Sequence, residues 1–155
     1  MIIVQNISKS FDDTPVLNEI STVFEKGKTN LIIGQSGSGK TVFIKCLLGL
    51  FETDSGLIKF DNTALNNMNN KERIILRQEI GMVFQGSALF DSMTVEENIM
   101  FPMQMFTRKD DDEVRERANQ VIKRVNLINA NEKYPDEISG GMKKRVAIAR
   151  AIVMN

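Results

Sequence analysis

The chain has 155 residues, 20 Lys and Arg against 20 Asp and Glu, and 42% hydrophobic residues. That is one domain of ordinary globular composition, and its neutral balance argues against nucleic-acid binding through a bulk electrostatic footprint. A single cysteine, Cys46, excludes an intrachain disulfide framework and points to a reducing compartment; the absence of histidine excludes imidazole metal sites and Ser–His triads.

Ile2–Ile7 and Val16–Phe24 read as short strands flanking the turn cluster Asp12–Pro15. Thr29–Ile33 is an apolar run ending at glycine, the pattern of a strand buried on both faces of a parallel sheet. Gly39–Leu50 reads as a helix with Val42, Cys46, Leu47 and Leu50 on one face, where Cys46 is a small core residue rather than a reactive thiol. Thr53–Gly56 is a turn and Leu57–Phe60 a strand. Five asparagines within residues 62–70 predict a solvated loop, Lys71–Gln78 a short polar helix, and Ile80–Phe84 a second buried-type strand.

Beyond that point the spacing turns helical. Thr94 and Glu97 form the two ends of a capping box, and Pro102 is expected to end the helix it opens. Val114, Ala118, Val121, Ile122, Val125 and Ile128 recur at three or four, which predicts a helix over Lys109–Ile128, and a last helix starts near Gly141. Met100, Met103 and Met105 fill a helix or face a partner. No apolar run approaches the ~20 residues needed to cross a bilayer. Met1–Gln5 has neither the charged region nor the cleavage site of a secretory leader, so the expected location is cytoplasmic, at most peripheral to a membrane.

Gly34-Gln35-Ser36-Gly37-Ser38-Gly39-Lys40-Thr41 fits G-x-x-x-x-G-K-[ST] between a predicted strand and a predicted helix. Such a run is expected by chance roughly 0.005 times in a chain of this composition. The chemistry needs these types: glycines let the backbone take positive φ and approach phosphate, and successive amides at a helix N-terminus make an anion nest. Lys40 is placed to reach the β- and γ-phosphates and Thr41 to offer its hydroxyl to Mg²⁺, so the expected ligand is a nucleoside triphosphate with Mg²⁺.

Ile138-Ser139-Gly140-Gly141-Met142 opens the last helix with small residues. Alone, this reads as an N-cap serine followed by flexible glycines. In order with the rest it is more specific: the whole chain resembles the ATP-binding-cassette (ABC) ATPases. Gly34–Thr41 resembles their Walker A motif, Phe84-Gln85 their Q-loop, Ile138–Met142 their signature motif, and Lys143–Ala151 the helix that follows it. Phe11 stands at the position of the family's adenine-stacking aromatic; a plain core aromatic is the other reading.

The resemblance implies a P-loop NTPase α/β fold, with an N-terminal antiparallel β layer and a helical insert. Residues 1–85 would be the nucleotide-binding core carrying Walker A and the Q-loop, and 86–155 the helical subdomain carrying the signature. It implies ATP and Mg²⁺ as ligands, with Thr41 and Gln85 near the metal and Gln85 also near the attacking water. It implies a head-to-tail homodimer in which Ser139, Gly140, Gly141 and Met142 meet the ATP held by the partner copy's P-loop. It implies a membrane permease docking at the Q-loop region, no nucleic-acid partner, and a peripheral place on the inner face of the plasma membrane. Lys143, Lys144, Arg145 and Arg150 leave residues 138–155 with a local balance of +4, read equally as a phosphate-facing charge or a solvated face.

Met142 stands where glutamine is usual, and Gly81–Asn98 resembles the branch that moves phospholipids for outer-membrane lipid asymmetry. No segment of the chain matches the family's Walker B strand with its Asp and Glu: Leu57–Asp61 is interrupted by Lys59, and Ala88–Asp91 is too short. The switch histidine is missing as well. The sequence therefore reads as a cassette incomplete at its C-terminus, with weak Mg²⁺ binding, little turnover of its own and an exposed apolar sheet edge. Two other readings stay open. One is a truncated nucleotide-binding module without hydrolysis. The other is a soluble, non-transport cassette acting on ribosomes or chromosomes, against which stands the absence of sustained heptads between Lys40 and Ser139.

Overall fold

The computed structural model describes residues 1–155, which form two compact units, Met1–Ile75 and Leu76–Asn155.

The first unit is built on a four-stranded antiparallel sheet, ordered β2-β1-β3-β4, of β1 (Ile2–Phe11), β2 (Thr14–Phe24), β3 (Ser55–Phe60) and β4 (Thr63–Ala64). Val4, Ile7, Leu17 and Ile58 are buried. The β1–β2 ladder slips between Val4 and Ile7, where Asn6 takes a positive φ of 47°. Ser21 holds that bulge: its hydroxyl accepts from the Asn6 amide at 2.8 Å and donates to Asn6 Oδ1 at 2.7 Å. The turn before β3 is tied to β1 by Asp54, whose carboxylate accepts from Lys9 Nζ at 2.7 Å and from the Ser10 amide at 2.6 Å.

Helix α1 (Lys40–Leu47) buries Phe43 and Cys46 and leaves Leu50 beyond its end half exposed, so Phe43 rather than Leu50 completes the inward face. Helix α2 (Asn70–Glu79) starts at Asn69, whose side chain accepts from the amides of Lys71 and Glu72. The asparagine-rich stretch before it is more ordered than its composition suggests. It contains β4 and a 3-10 turn, Leu65–Asn67, because Leu65 is buried and pins the segment.

The second unit is a three-helix cluster of α3 (Val95–Phe106), α4 (Asp111–Arg124) and α5 (Gly140–Ile152). Its interior follows helical spacing: Val95, Ile99 and Met103 from α3, Val114, Ala118 and Val121 from α4, Val146, Ala149 and Val153 at α5. Each large aliphatic side chain so buried contributes roughly 1.5–3 kcal/mol. The expected capping box is present, with the Glu97 amide donating to Thr94 Oγ1 at 3.2 Å and the Thr94 amide to Glu97 Oε2 at 2.7 Å. Asp110 caps α4, whose first turn is acidic and last turn basic, matching the helix dipole.

Three further sequence expectations differ from the structure. Pro102 does not end α3 but lies inside it. Met103 is buried, and the Thr107 amide and hydroxyl both donate to the Met103 carbonyl, at 2.9 and 2.8 Å, so packing and a cap carry the helix past the missing N–H. Thr29–Ile33 and Ile80–Phe84 are not strands. Neither joins the sheet, and Leu31 and Ile33 are 84% and 81% exposed. An apolar run becomes a buried strand only when other strands flank it, and no residue of 1–155 pairs with these two.

Candidate functional site

In the first unit, residues 34–39 lead into the N-terminus of α1. Gly37 and Gly39 have φ of 82° and 86°, in the left-handed region that side chains resist. Gly34 has an ordinary φ; a Cβ there would lie 2.6 Å from Ser38 Oγ, so its smallness serves packing within the loop. Ser38 N–H bonds to Gln35 O at 3.3 Å and closes the turn. Gly39 is the N-cap of α1, with no side-chain cap and no acid in the first turn. The first amides of α1 are thus left for an external acceptor, and the dipole there favours an anion.

Lys40 Nζ donates to the carbonyls of Gly34 and Gln35, at 2.8 and 2.6 Å, which lays its charge across the loop. Thr41 is exposed beside it. The residues fit a phosphate tail: donors without internal partners, glycines at the strained turns, and a cation at the rim. Phe11, at the end of β1, is 38% exposed, edge-on to Phe51 at 5.3 Å, with Lys9 Nζ 5.4 Å from its ring centre. Burial pushes the Cys46 thiol up, in keeping with an inert core residue. No group of three or more His, Cys, Asp or Glu is placed to hold a metal ion.

The second unit carries Gln85 and residues 139–142. Ser139 caps α5, accepting from the Met142 amide at 3.3 Å. Gly140 has open space where a side chain would go, and the first turn again has no acid. Helices α2, α3 and α4 all begin with acids; only α1 and α5, the two with glycine motifs, begin without. Met142 packs onto the helical cluster, which accounts for an apolar residue there. Two of the four bases on α5 are engaged structurally: Arg145 Nη1 donates to Asn126 O at 3.1 Å, and Arg150 Nη2 to the carbonyls of Ser87 and Ala88.

Gln85 is exposed on the segment leading into a groove of about 500 Å³, mostly apolar, with Phe84, Phe90, Phe101, Phe106 and Met154 in its walls. Three residues that shape this region escape a reading of motifs. Asn98 is fully buried; it accepts from the Phe90 amide at 2.8 Å and donates to the carbonyls of Phe90, Met93 and Thr94. Gly81 touches the backbone of Ala151. Arg150 holds the turn after Gln85, and burial pulls its guanidinium pKa down. An amide side chain on the apolar stripe Val95–Asn98–Ile99 was the one signal available for them.

The ABC transporter family pattern matches residues 17–155. The methionine import ATP-binding protein MetN of Clostridium tetani is 40% identical over 154 residues, 99% of this chain and 48% of that protein. The glutamine transport ATP-binding protein GlnQ of Escherichia coli is 40% identical over 154 residues, 99% of this chain and 64% of that protein. Among solved structures, the dimeric ATP-binding cassette MJ0796, in a post-hydrolysis state bound to ADP and Pi, matches with a TM-score of 0.89 at 29% identity, over 100% of this chain and 70% of that one. The chain belongs to the ABC transporter family and has the α/β fold of its P-loop ATPases. It spans about half to two thirds of the length of these curated relatives. No helix is long and apolar enough to cross a membrane.

Proposed function

We propose that the chain is the nucleotide-binding part of an ABC transporter ATPase, holding MgATP at residues 34–41. The observation that carries this is the N-terminus of α1: uncapped, free of acids, reached through left-handed Gly37 and Gly39, and flanked by Lys40. Lys40 leaves the carbonyls of Gly34 and Gln35 for the β- and γ-phosphates, the amides of the loop bind the tail, Thr41 meets Mg²⁺, and Phe11 stacks on the base. Gln85 orients water or Mg²⁺ at the γ-phosphate. A second copy, packed head to tail, adds Ser139, Gly140, Gly141 and Met142 to each site. The groove beside Gln85 takes a permease segment, which sets the assembly on the cytoplasmic face of a membrane.

The test is MgATP binding by the chain and by Lys40→Ala, followed by calorimetry. Binding that weakens about a hundredfold in the variant supports the assignment; equal binding by both overturns it.

A finer reading concerns cargo. The stretch Gly81–Asn98 favours phospholipid, whereas the relatives named above carry the names of methionine and glutamine systems. Lipid co-purifying with the permease complex supports the first, and amino-acid-stimulated ATPase activity the second.

A further inference from the structure

The turn after Gln85 is strained, and one distant side chain holds it. Ser87 and Ala88 are consecutive non-glycine residues with φ of 63° and 47°. Both lie in the left-handed region, where an L side chain crowds its own carbonyl and the conformation persists only if its surroundings enforce it. Their two carbonyls converge on a single atom: Arg150 Nη2 donates to Ser87 O at 3.0 Å and to Ala88 O at 2.8 Å. The same guanidinium lies 5.7 Å from the Phe90 ring centre. Arg150 sits in the last turn of α5, 63 residues from Ser87 in sequence and on the helix that Ser139 opens. The far side of the segment is fixed independently by Asn98, which clasps the Phe90 backbone in both directions.

We infer that Arg150 is a positioning residue: it clamps the left-handed Ser87–Ala88 turn to the C-terminal end of α5, so that the segment carrying Gln85 and one wall of the adjacent groove moves with the helix that bears the Ser139–Met142 motif. Bonds to a charged, half-buried donor are stronger than neutral ones, so the clamp suffices to hold a turn the backbone alone would leave. The use of that linkage in transport rests on the function proposed above; the clamp itself does not.

The experiment is amide hydrogen exchange, read residue by residue by NMR on the nucleotide-free 155-residue chain. The reporter is Ser87 N–H, which donates to Phe84 O at 2.9 Å only while the turn is formed. Arg150→Met keeps the stem and removes the donors. It is expected to speed Ser87 exchange about tenfold, with the α4 amides from Val114 to Ile122 unchanged. Adding Ala88→Gly, which takes a positive φ without penalty, is expected to recover most of that loss. Ala88→Val raises the conformational penalty with Arg150 intact and is expected to speed Ser87 exchange by itself, which serves if Arg150→Met fails to fold. Unchanged Ser87 exchange in the folded variants overturns the proposal. So does acceleration spread evenly over residues 76–155 with no recovery on Ala88→Gly, since a residue that merely fills space would behave that way. MgATP binding by the unaltered chain is measured in parallel; its absence would overturn the nucleotide assignment without touching the exchange result.

Discussion

Gly81 lies against the backbone of Ala151, so close that a methyl group added at Gly81 would overlap the Ala151 carbonyl. The segment at 80–84 therefore meets the C-terminal turn of α5 backbone to backbone, with only a hydrogen between them. Gly81→Ala is expected to lower stability by about 3 kcal/mol, because the atom in the way belongs to a helix and cannot rotate aside. Gly86→Ala, which meets nothing within 4 Å, is the control and is expected to change stability by less than about 0.5 kcal/mol. Urea unfolding of the two variants beside the parent chain reads the difference.

Asn98 spends all its side-chain capacity on one turn. Its oxygen accepts from the Phe90 amide and its nitrogen faces the carbonyls of Phe90, Met93 and Thr94 at 2.9–3.0 Å. Phe90 O keeps the Met93 amide and Thr94 O the Asn98 amide, so removing the side chain strands the Phe90 N–H and the Met93 carbonyl, at about 1–3 kcal/mol for each group left unpaired. Asn98→Ala is therefore expected to cost about 3 kcal/mol by thermal or urea unfolding. Asn98→Asp keeps one acceptor but adds a buried charge, and is expected to be no better at neutral pH.

What could be read from the sequence was what depends on near neighbours. The Thr94–Glu97 box and the three-and-four spacing of Val114 to Ile122 are local signals, and α3 and α4 appear where they point, although α4 stops at Arg124 and leaves Ile128 exposed. The Gly34–Thr41 loop was legible as a glycine turn into a helix, because Gly37 and Gly39 mark the positive-φ positions just before α1. Ile80–Phe84 was not: an apolar run states that it wants burial but not which strand will supply it, and no strand pairs with it. Pro102 misled for the same reason, since the burial of Met103 that carries α3 past it is a tertiary fact. Arg150 and Gly81 act on residues 62 to 70 positions away, and nothing beside them in the chain announces the partner.

Acid will loosen the first unit through Asp54. The Lys9 ammonium and the Ser10 amide hold its carboxyl below the usual carboxylate range. The folded pKa is depressed, so the stabilisation is fully present above the unfolded value of about 3.9 and is lost as pH falls through the lower folded value. Asp61 behaves alike through the N-terminal ammonium. Both pairs are open to solvent, so salt should shrink the effect. Melting temperature followed from pH 6 down to about 2 is expected to fall less steeply below pH ~4 for Asp54→Asn than for the parent, and at 1 M salt the two curves should approach each other.

Gly39 joins the fold to the site. It caps α1 with φ 86°, and a Cβ there would lie 2.9 Å from Val16 O and 3.1 Å from Leu17 Cδ2 on β2. Alanine at this position meets two costs at once: a left-handed backbone and a carbonyl that belongs to a paired strand. The loop can relieve both only by tilting the start of α1 away from β2, which turns the amides of Lys40 and Thr41 off the line they share. Gly39→Ala is therefore expected to weaken MgATP binding at least tenfold while leaving the midpoint of the helical second unit unchanged. Gly37→Ala carries the backbone penalty alone, with nothing within 4 Å of its Cβ, and is expected to bind more weakly than the parent and more tightly than Gly39→Ala. Calorimetric titration of the three chains with MgATP gives that order directly, and an inverted order between the two alanines would show that the Val16 contact does not govern the loop.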